Sequence, residues 1–496
     1  MLSNKPIQSA LISVFNKDGL EPILQLLHKQ GVTIYSTGGT QSFIEQHNIP
    51  VNAVEDLTSY PSILGGRVKT LHPKVFGAIL ARRENEQDQK ELAEFEIPLF
   101  DLVIVDLYPF EDTLKSGADH QSIIEKIDIG GISLIRAAAK NYTDVVCIPS
   151  KNEYAELETI LSQGHTTTNA QRRSFSAKAF AVSSNYDHLI GTYLAGGNIH
   201  ALRYGENPHQ EASFQGNKDD VFEQIHGKEL SYNNLLDVDA TLNYLHDFDQ
   251  TTVAIIKHNN ACGLACGDNL TETWKRALAG DPVSAFGGII GINKTVDLAT
   301  AQEIDKIFFE VILAPDYNAD ALEVLKTKKN RVILKIKNFV PLHTEKRSLL
   351  NGVLVQEKDL KVETAADLKT ATTLEPTSAQ ISDLLFANKI VKNSKSNTIV
   401  LAKNGQLLGL GCGMTSRVDA LKHAITKAKE FELDLNGAVM SSDAFFPFPD
   451  CVEIAHGEGI KAVIQPGGSI KDQDSIDYCN LSNMAMVFTG TRHFKH

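Results

Sequence analysis

One feature constrains this chain more than any other: over its first 150 residues, short β-branched runs alternate with helical periods. Leu11-Ile-Ser-Val-Phe15, Thr33-Ile-Tyr-Ser-Thr37, Asp101-Leu-Val-Ile-Val-Asp106 and Asp144-Val-Val-Cys-Ile148 read as strands, and residues 20–30 carry a helical period. Strands separated by helices need crossover connections, so the expected fold is a parallel sheet covered by helices. Residues 169–194 have the length and Ala content of one long helix, which ends at Ala195-Gly-Gly-Asn198. That glycine pair reads as a hinge and places a domain boundary near residue 198.

The 496 residues suit roughly three domains of about 150 residues, or two with one composite. Residues 199–496 mix helical stretches with apolar runs at 252–256, 287–292, 398–402 and 462–465, which predicts two α/β layers. Residues 346–380 are polar and weakly periodic and read as a connector between those layers; no clear internal repeat is visible.

Charge excludes one class of partner. With 48 Lys and Arg against 61 Asp and Glu, the formal charge is −13, so no wide basic surface is expected for a nucleic-acid backbone. A few basic groups in a cleft can still focus a positive potential on a small anion. The six cysteines, Cys147, Cys262, Cys266, Cys412, Cys451 and Cys479, lack the spacing of a disulfide framework and point to a reducing cytoplasm. The opening Met1-Leu-Ser-Asn-Lys-Pro6 has no apolar leader, and no later stretch reaches the roughly 18 apolar residues of a membrane span. A soluble, untargeted protein is expected.

Several segments carry candidate chemistry. Ser36-Thr-Gly-Gly-Thr40 joins a strand to a predicted helix, where exposed backbone N–H groups could cradle a phosphate; the structural alternative is a turn capped by Thr40. Gly65-Gly-Arg-Val-Lys-Thr-Leu-His-Pro73 offers Arg67 to fork onto phosphate and Lys69 to hold an oxyanion, or is simply a basic exposed loop. Tyr108 follows the most apolar strand, at the carboxyl end where open α/β sheets place ligands, although a packed Tyr is the plainer reading. Asp128 precedes the glycine pair of Ile127-Asp-Ile-Gly-Gly131, and Arg136 and Lys140 share one face of the helix that follows, a solvated helix being the alternative.

In the second half, Leu202-Arg-Tyr-Gly-Glu-Asn-Pro-His-Gln210 places Arg203 and Tyr204 in a Gly/Pro turn that is either a binding segment or a linker. Lys257 and His258 end an apolar strand; adjacent strand residues face opposite ways, so the pair can share a site only at a bend. There His258 suits a general base and Lys257 a carbonyl-polarising cation. Zinc is rejected: His456-Gly-Glu458 supplies half of a deaminase signature, but no Pro-Cys-x-x-Cys follows. Gly409-Leu-Gly-Cys-Gly413 departs from G-x-G-x-x-G and reads as a glycine-rich strand or bulge near a ligand, with Arg417 available for an anion.

Together these segments resemble the bifunctional purine-biosynthesis family that joins aminoimidazole carboxamide ribonucleotide (AICAR) formyltransferase to inosine monophosphate (IMP) cyclohydrolase. The resemblance extends to Asp281-Pro-Val-Ser-Ala-Phe-Gly-Gly288, Ser441-Ser-Asp-Ala-Phe-Phe-Pro-Phe448 and Thr491-Arg-His-Phe494 and covers nearly the whole chain. It implies a methylglyoxal-synthase-like parallel α/β cyclohydrolase domain over 1–198. It further implies a formyltransferase domain over 199–496 made of two cytidine-deaminase-like α/β subdomains without zinc, split near 346–380. It also implies a cytoplasmic homodimer with transferase sites at the subunit interface, small-molecule partners, and 10-formyltetrahydrofolate as co-substrate with no catalytic metal.

By the same resemblance, Lys257, His258 and Asn397 carry formyl transfer. Arg203, Tyr204, Arg417 and Arg492 anchor the nucleotide, and Phe445 and Asp450 line the folate region. The terminal Arg492 requires an ordered C-terminus. Lys69, Tyr108, Asp128 and Lys140 serve ring closure, with Lys17, Ser36, Thr37, Gly38, Gly39, Thr40, Arg67 and Thr70 as candidate substrate contacts, and Asn234 completes the binding set. Phe15 and Asn16 stand where a small hydroxyl residue and Asp are common, Ala261 where proline is frequent, and Met414 where glutamine is usual. Two other readings fit these residues: a phosphate-sensing regulatory module, and a lone transferase with an impaired first domain.

Overall fold

The structure, a computed structural model, describes residues 4–496. The opening at residues 1–3, part of the segment read as lacking a leader, lies outside the described residues. Among the described residues no helix is long and apolar enough to cross a membrane. The chain divides into two compact units, Met1–His200 and Ala201–His496.

The first unit is built on five strands, β1 (Ser9–Ser13), β2 (Thr33–Ser36), β3 (Asn52–Ala53), β4 (Leu102–Val105) and β5 (Val146–Ile148). Their order is β3-β2-β1-β4-β5 and every pairing is parallel. All four residues of β4 are buried, as a sheet covered on both faces requires. The helix Leu20–Lys29 buries Leu20, Ile23, Leu24 and Leu27, one stripe at helical spacing, against one face. Each such side chain contributes about 1.5–3 kcal/mol of transfer free energy. The helices Pro73–Leu80 and Gly130–Lys140 cover the other face. The helix expected over 169–194 is present as Asn169–Leu194, started by a Thr168/Gln171 capping box. Sheet order reverses between β1 and β4, so their carboxyl ends flank the crevice where open α/β sheets bind ligands.

The second unit centres on one twelve-stranded sheet: β6 (Phe222–His226), β7 (Thr252–Lys257), β8 (Asn260–Cys266), β9 (Ile289–Ile292), β10 (Val311–Ala314), β11 (Val332–Ile336), β12 (Lys369–Thr370), β13 (Ile399–Lys403), β14 (Gln406–Gly411), β15 (Val439–Ser442), β16 (Ala462–Gln465) and β17 (Ala485–Phe488). The order is β6-β11-β10-β9-β7-β8-β14-β13-β15-β16-β17-β12. Each half contains a hairpin, β7/β8 or β13/β14, whose first strand runs antiparallel to a set of three parallel strands. The halves meet where β8 pairs with β14 through Ala265 and Gln406.

The halves therefore repeat in topology and burial pattern, a duplication carried by the fold and not by a repeat visible in the sequence. The segment 346–380 is likewise more than a connector. It contains most of an exposed antiparallel ribbon, Thr344–Leu349 with Gly352–Glu357, then β12 and the start of the helix Ser378–Asn393.

Gly409 and Gly411 have a packing role. A β-carbon on Gly411 would lie 1.9 Å from the Ala420 carbonyl oxygen, so glycine lets the helix Arg417–Glu430 sit directly on β14.

Candidate active sites

In the first unit the crevice gathers groups from four segments. Thr37 precedes the helix Gly38–Gln46 in extended conformation without a side-chain cap, which leaves the amides of the first turn facing outward. Its hydroxyl instead donates to Glu55 at 2.9 Å. Thr40 does not cap: its hydroxyl donates to the Val14 carbonyl at 2.9 Å and accepts from Val14 N. Ser36 donates to the Ile12 carbonyl at 2.7 Å. Of this motif, backbone N–H groups and not hydroxyls are free to meet an anion. Gly38 has φ +55°, and a β-carbon there would stand 3.3 Å from Lys69 Nζ, so the Lys69 amine lies at the mouth of the same turn.

Lys17 Nζ donates to the carbonyls of Val14 and Phe15, at 2.6 and 3.0 Å. Burial lowers its pKa, and the nearby Lys69 charge lowers it further against the opposing pull of Asp106. Asp106, which sequence reasoning passed over, accepts from the amides of Phe15 and Asn16, so the two unusual residues are tied by their backbones. Its carboxyl is pushed up, first by burial. Phe15 meets the Tyr108 ring edge-on at 5.5 Å.

Asp128 accepts from Gly131 N at 2.6 Å, and its own N–H donates to Tyr186 Oη at 2.8 Å. Burial raises its pKa; Asp106 adds to the shift and Lys69 opposes it. Tyr108 is raised by burial and by Asp128. These mutual electrostatic effects place Lys17, Lys69, Asp106, Tyr108 and Asp128 in one neighbourhood. Thr70 is buried, with its hydroxyl 3.2 Å from where a Gly130 β-carbon would lie. Arg67 is exposed and pairs with Glu125. Lys140 stands apart: it is exposed in the last turn of the helix Gly130–Lys140, about 15 Å of helical rise from the Asp128 turn.

In the second unit Lys257 pairs with Asn260 across a two-residue hairpin turn formed by His258 (φ +52°) and Asn259 (φ +65°). Positive φ at both positions is the type I′ geometry that matches strand twist. The bend needed to bring Lys257 and His258 to one place is therefore present. Both line a cavity of about 420 Å³ together with Asp281, Ser284, His423 and Lys427. Lys257 Nζ donates to the Phe286 carbonyl at 2.6 Å, and Lys427 meets Asp281 at 2.8 Å. Asp237, another residue not singled out from sequence, accepts from Asn259 N at 2.7 Å; burial raises its carboxyl against the pull of His258.

The side-chain carbonyl of Asn260 accepts from Lys395 N at 3.3 Å, linking this turn to the loop that holds Asn397. The Ser396–Asn397 peptide is cis, and Asn397 Nδ2 donates to the Met414 carbonyl at 2.9 Å. Arg417 opens its helix, donates to the fully buried Asp443 at 3.1 Å and lies over the Phe494 ring at 5.7 Å. Arg492 lies over the same ring at 4.3 Å. Arg417 Nε and Asp443 Oδ2 are buried without a hydrogen-bond partner. Phe445 is partly exposed, and Asp450 opens the helix Asp450–Gly457, accepting from Cys451 N at 2.8 Å.

Arg203 is exposed over the Tyr204 ring, and neither lines the Lys257 cavity. Asn234 serves as N3 of a capping box with Ser231 and donates to Glu310 at 3.1 Å, so its amide is committed to structure. Among the described residues no three His, Cys, Asp or Glu side chains converge as a metal site, and His456 Nδ1 meets Tyr478 Oη at 3.2 Å.

A family model described as AICARFT/IMPCHase bienzyme matches residues 138–427, more than half of the chain. The chain belongs to this family. A second model, described as MGS-like domain, matches residues 19–133, the region of the parallel sheet. The bifunctional purine biosynthesis protein PurH of Bacteroides thetaiotaomicron is 60% identical and covered in full, as is this chain. The PurH protein of Aquifex aeolicus is 45% identical, with 98% of this chain and 100% of the relative covered. A crystal structure of ForH is 33% identical over 37% of this chain and 95% of its own, with a TM-score of 0.33. Family membership makes the chain an AICAR formyltransferase and IMP cyclohydrolase of purine biosynthesis that takes a folate-type co-substrate.

Proposed function

We propose that Met1–His200 performs ring closure and Ala201–His496 performs formyl transfer, with 10-formyltetrahydrofolate as the donor. The observation that carries the transferase assignment is the two-residue turn that sets Lys257 and His258 on one cavity. The 5-amino group of AICAR is aromatic and conjugated with a carboxamide, hence a poor nucleophile. As its nitrogen bonds to the formyl carbon, His258 takes the proton, and Lys257 with Asn397 holds the tetrahedral oxyanion. Collapse breaks the bond from carbon to N10 of the folate, which takes up a proton. Arg417 and Arg492, gathered at Phe494, suit the nucleotide phosphate, and the unpartnered Nε of Arg417 is a donor still to be used. Arg203 and Tyr204 extend that anchoring, and Phe445 and Asp450 border the folate.

For ring closure, the amides opening the helix Gly38–Gln46 hold the phosphate with Lys17, Arg67 and Thr70 beside them. Lys69 stabilises charge on the formyl oxygen, while Asp128 and Tyr108 guide protons as the carboxamide nitrogen attacks and water leaves. Lys140, on the last turn of the helix Gly130–Lys140, completes the candidates for this reaction. We further propose a cytoplasmic homodimer. The exposed ribbon carrying Leu350, Val353, Leu354 and Val355 supports it, because an isolated two-stranded ribbon is marginal in water.

The test is chromatographic product analysis after mixing the full-length protein with AICAR and 10-formyltetrahydrofolate. IMP above a no-enzyme control is expected. Accumulation of the formylated intermediate alone would mean that the first unit has lost ring closure, and no product at all would overturn the assignment.

A further inference from the structure

The C-terminal tail is fastened by a side chain that formyl transfer does not otherwise use. His493 is buried; its Nδ1 lies 2.6 Å from Asp359 Oδ2 and its Nε2 lies 3.0 Å from Glu363 Oε2. An imidazole donates from both nitrogens only when protonated. Burial opposes that charge, but the two carboxylates outweigh it and raise His493 to about 9. In return, although burial pushes both acids up, His493 holds Asp359 and Glu363 below the usual carboxylate range.

The other groups facing this cluster are few. Lys361 Nζ stands 3.7 Å from Glu363 Oε1, Asn388 donates to Glu363 Oε2 at 2.9 Å, and Lys392, paired with Asp247, acts on Asp359 from farther off. Loss of the His493 proton therefore leaves the buried Glu363 carboxylate with Lys361 as its nearest counter-charge, beside the solvent-exposed Asp359.

The position of His493 gives this clamp its consequence. Its backbone N–H donates to the Asp443 carbonyl at 3.0 Å, and the Asp443 carboxylate receives Arg417. Its neighbours Arg492 and Phe494 form the cation–π cluster with Arg417. Beyond them, Ser396 N donates to the Lys495 carbonyl at 2.9 Å, beside Asn397. We propose that His493 is a positioning residue for formyl transfer: bonded between Asp359 and Glu363, it holds the tail so that Arg492 and Arg417 stay gathered for the nucleotide. This rests on the assignment of formyl transfer to Ala201–His496.

The sign is fixed by linkage. The folded value, about 9, lies above the ordinary histidine value of about 6.5, so the clamp is complete below the latter and is lost as pH rises through the former. In the full-length enzyme, KM for AICAR in formyl transfer is measured against pH for the natural chain, His493→Gln and Glu363→Gln. Ring closure and thermal midpoint are followed on the same preparations. The natural chain should hold KM steady near neutrality and raise it as pH passes about 9, with kcat little changed. His493→Gln should show KM raised about tenfold already near neutral pH, with no further step and with ring closure intact. Glu363→Gln should move the step to lower pH.

A natural KM and profile in His493→Gln overturns the proposal, as does a fall in kcat and thermal midpoint with KM unchanged. Where His493→Gln does not fold, an unmoved step in Glu363→Gln overturns it. Absence of formyl transfer by the natural chain at every pH would instead defeat the underlying assignment, and this proposal with it.

Discussion

Lys69 occupies the space that Gly38 leaves by having no side chain: a β-carbon at Gly38 would sit 3.3 Å from Lys69 Nζ. The two residues belong to separate segments, and their approach turns a bare helix start into a cationic one. Gly38→Ala should therefore do two things. The left-handed conformation at φ +55° costs about 1–2 kcal/mol with a β-carbon, and the displaced amine should lower ring closure by about 100-fold. Formyl transfer, assayed separately, should be unaffected; a natural rate of ring closure would remove Lys69 from the site.

His258 combines a reactive side chain with a strained backbone, so the choice of substitution matters. Alanine would disturb the turn as well as delete the imidazole, whereas Asn tolerates positive φ. His258→Asn should lower formyl transfer by about 10²–10⁴-fold while ring closure and thermal midpoint hold. Retained transfer would show that the base lies elsewhere.

A third expectation concerns stability alone. Gly411→Ala forces a β-carbon to within 1.9 Å of the Ala420 carbonyl, and relief requires the helix Arg417–Glu430 to move off β14. A loss of about 1–3 kcal/mol is expected in thermal or denaturant unfolding, within the range for overpacked cores. Gly457→Ala, with nothing within 4 Å, is the control and should cost no stability.

Proton traffic in the first unit offers a fourth test. Burial places the Asp128 carboxyl above its ordinary 3.8, with Asp106 adding to the shift. A raised carboxyl gives up its anionic form at higher pH as solution is acidified, so the acid limb of kcat/KM for ring closure should lie above 3.8. Asp106→Asn removes the repulsion and should move that limb downward. An upward move would assign the limb to another group.

The parts of this structure legible in the sequence are those set by local pattern. Period and β-branching placed the strand Leu102–Val105 and the helix Asn169–Leu194, because burial on a sheet or a helix face repeats every few residues. The Lys257-His258 bend was legible as a condition and was met by a turn of two residues. What stayed hidden depends on partners far along the chain. The phosphate-cradle motif was legible, but not that the hydroxyls of its Ser36 and Thr40 donate to backbone carbonyls some two dozen residues away. Asn234, a candidate binding residue, also completes a capping box, a role its sequence position alone did not reveal. Lys140 shares a helix with the Asp128 turn yet lies at its opposite end. His493 meets its carboxylates across 134 and 130 residues, a spacing that no local pattern encodes.

The two hairpins of the second unit close with the same backbone geometry, through His258-Asn259 in one and Asn404-Gly405 in the other. They are not interchangeable. Cys266 N donates to the Gly405 carbonyl at 2.8 Å, so the second turn is stitched into the strand of its twin, while the first opens onto a cavity. Grafting Lys-His-Asn-Asn into the second hairpin would thus produce a seam with a histidine in it and no second reaction centre. In a duplicated scaffold, reactivity follows which copy has a vacancy beside it, and the copy that supplies the seam gives the other its freedom to do chemistry.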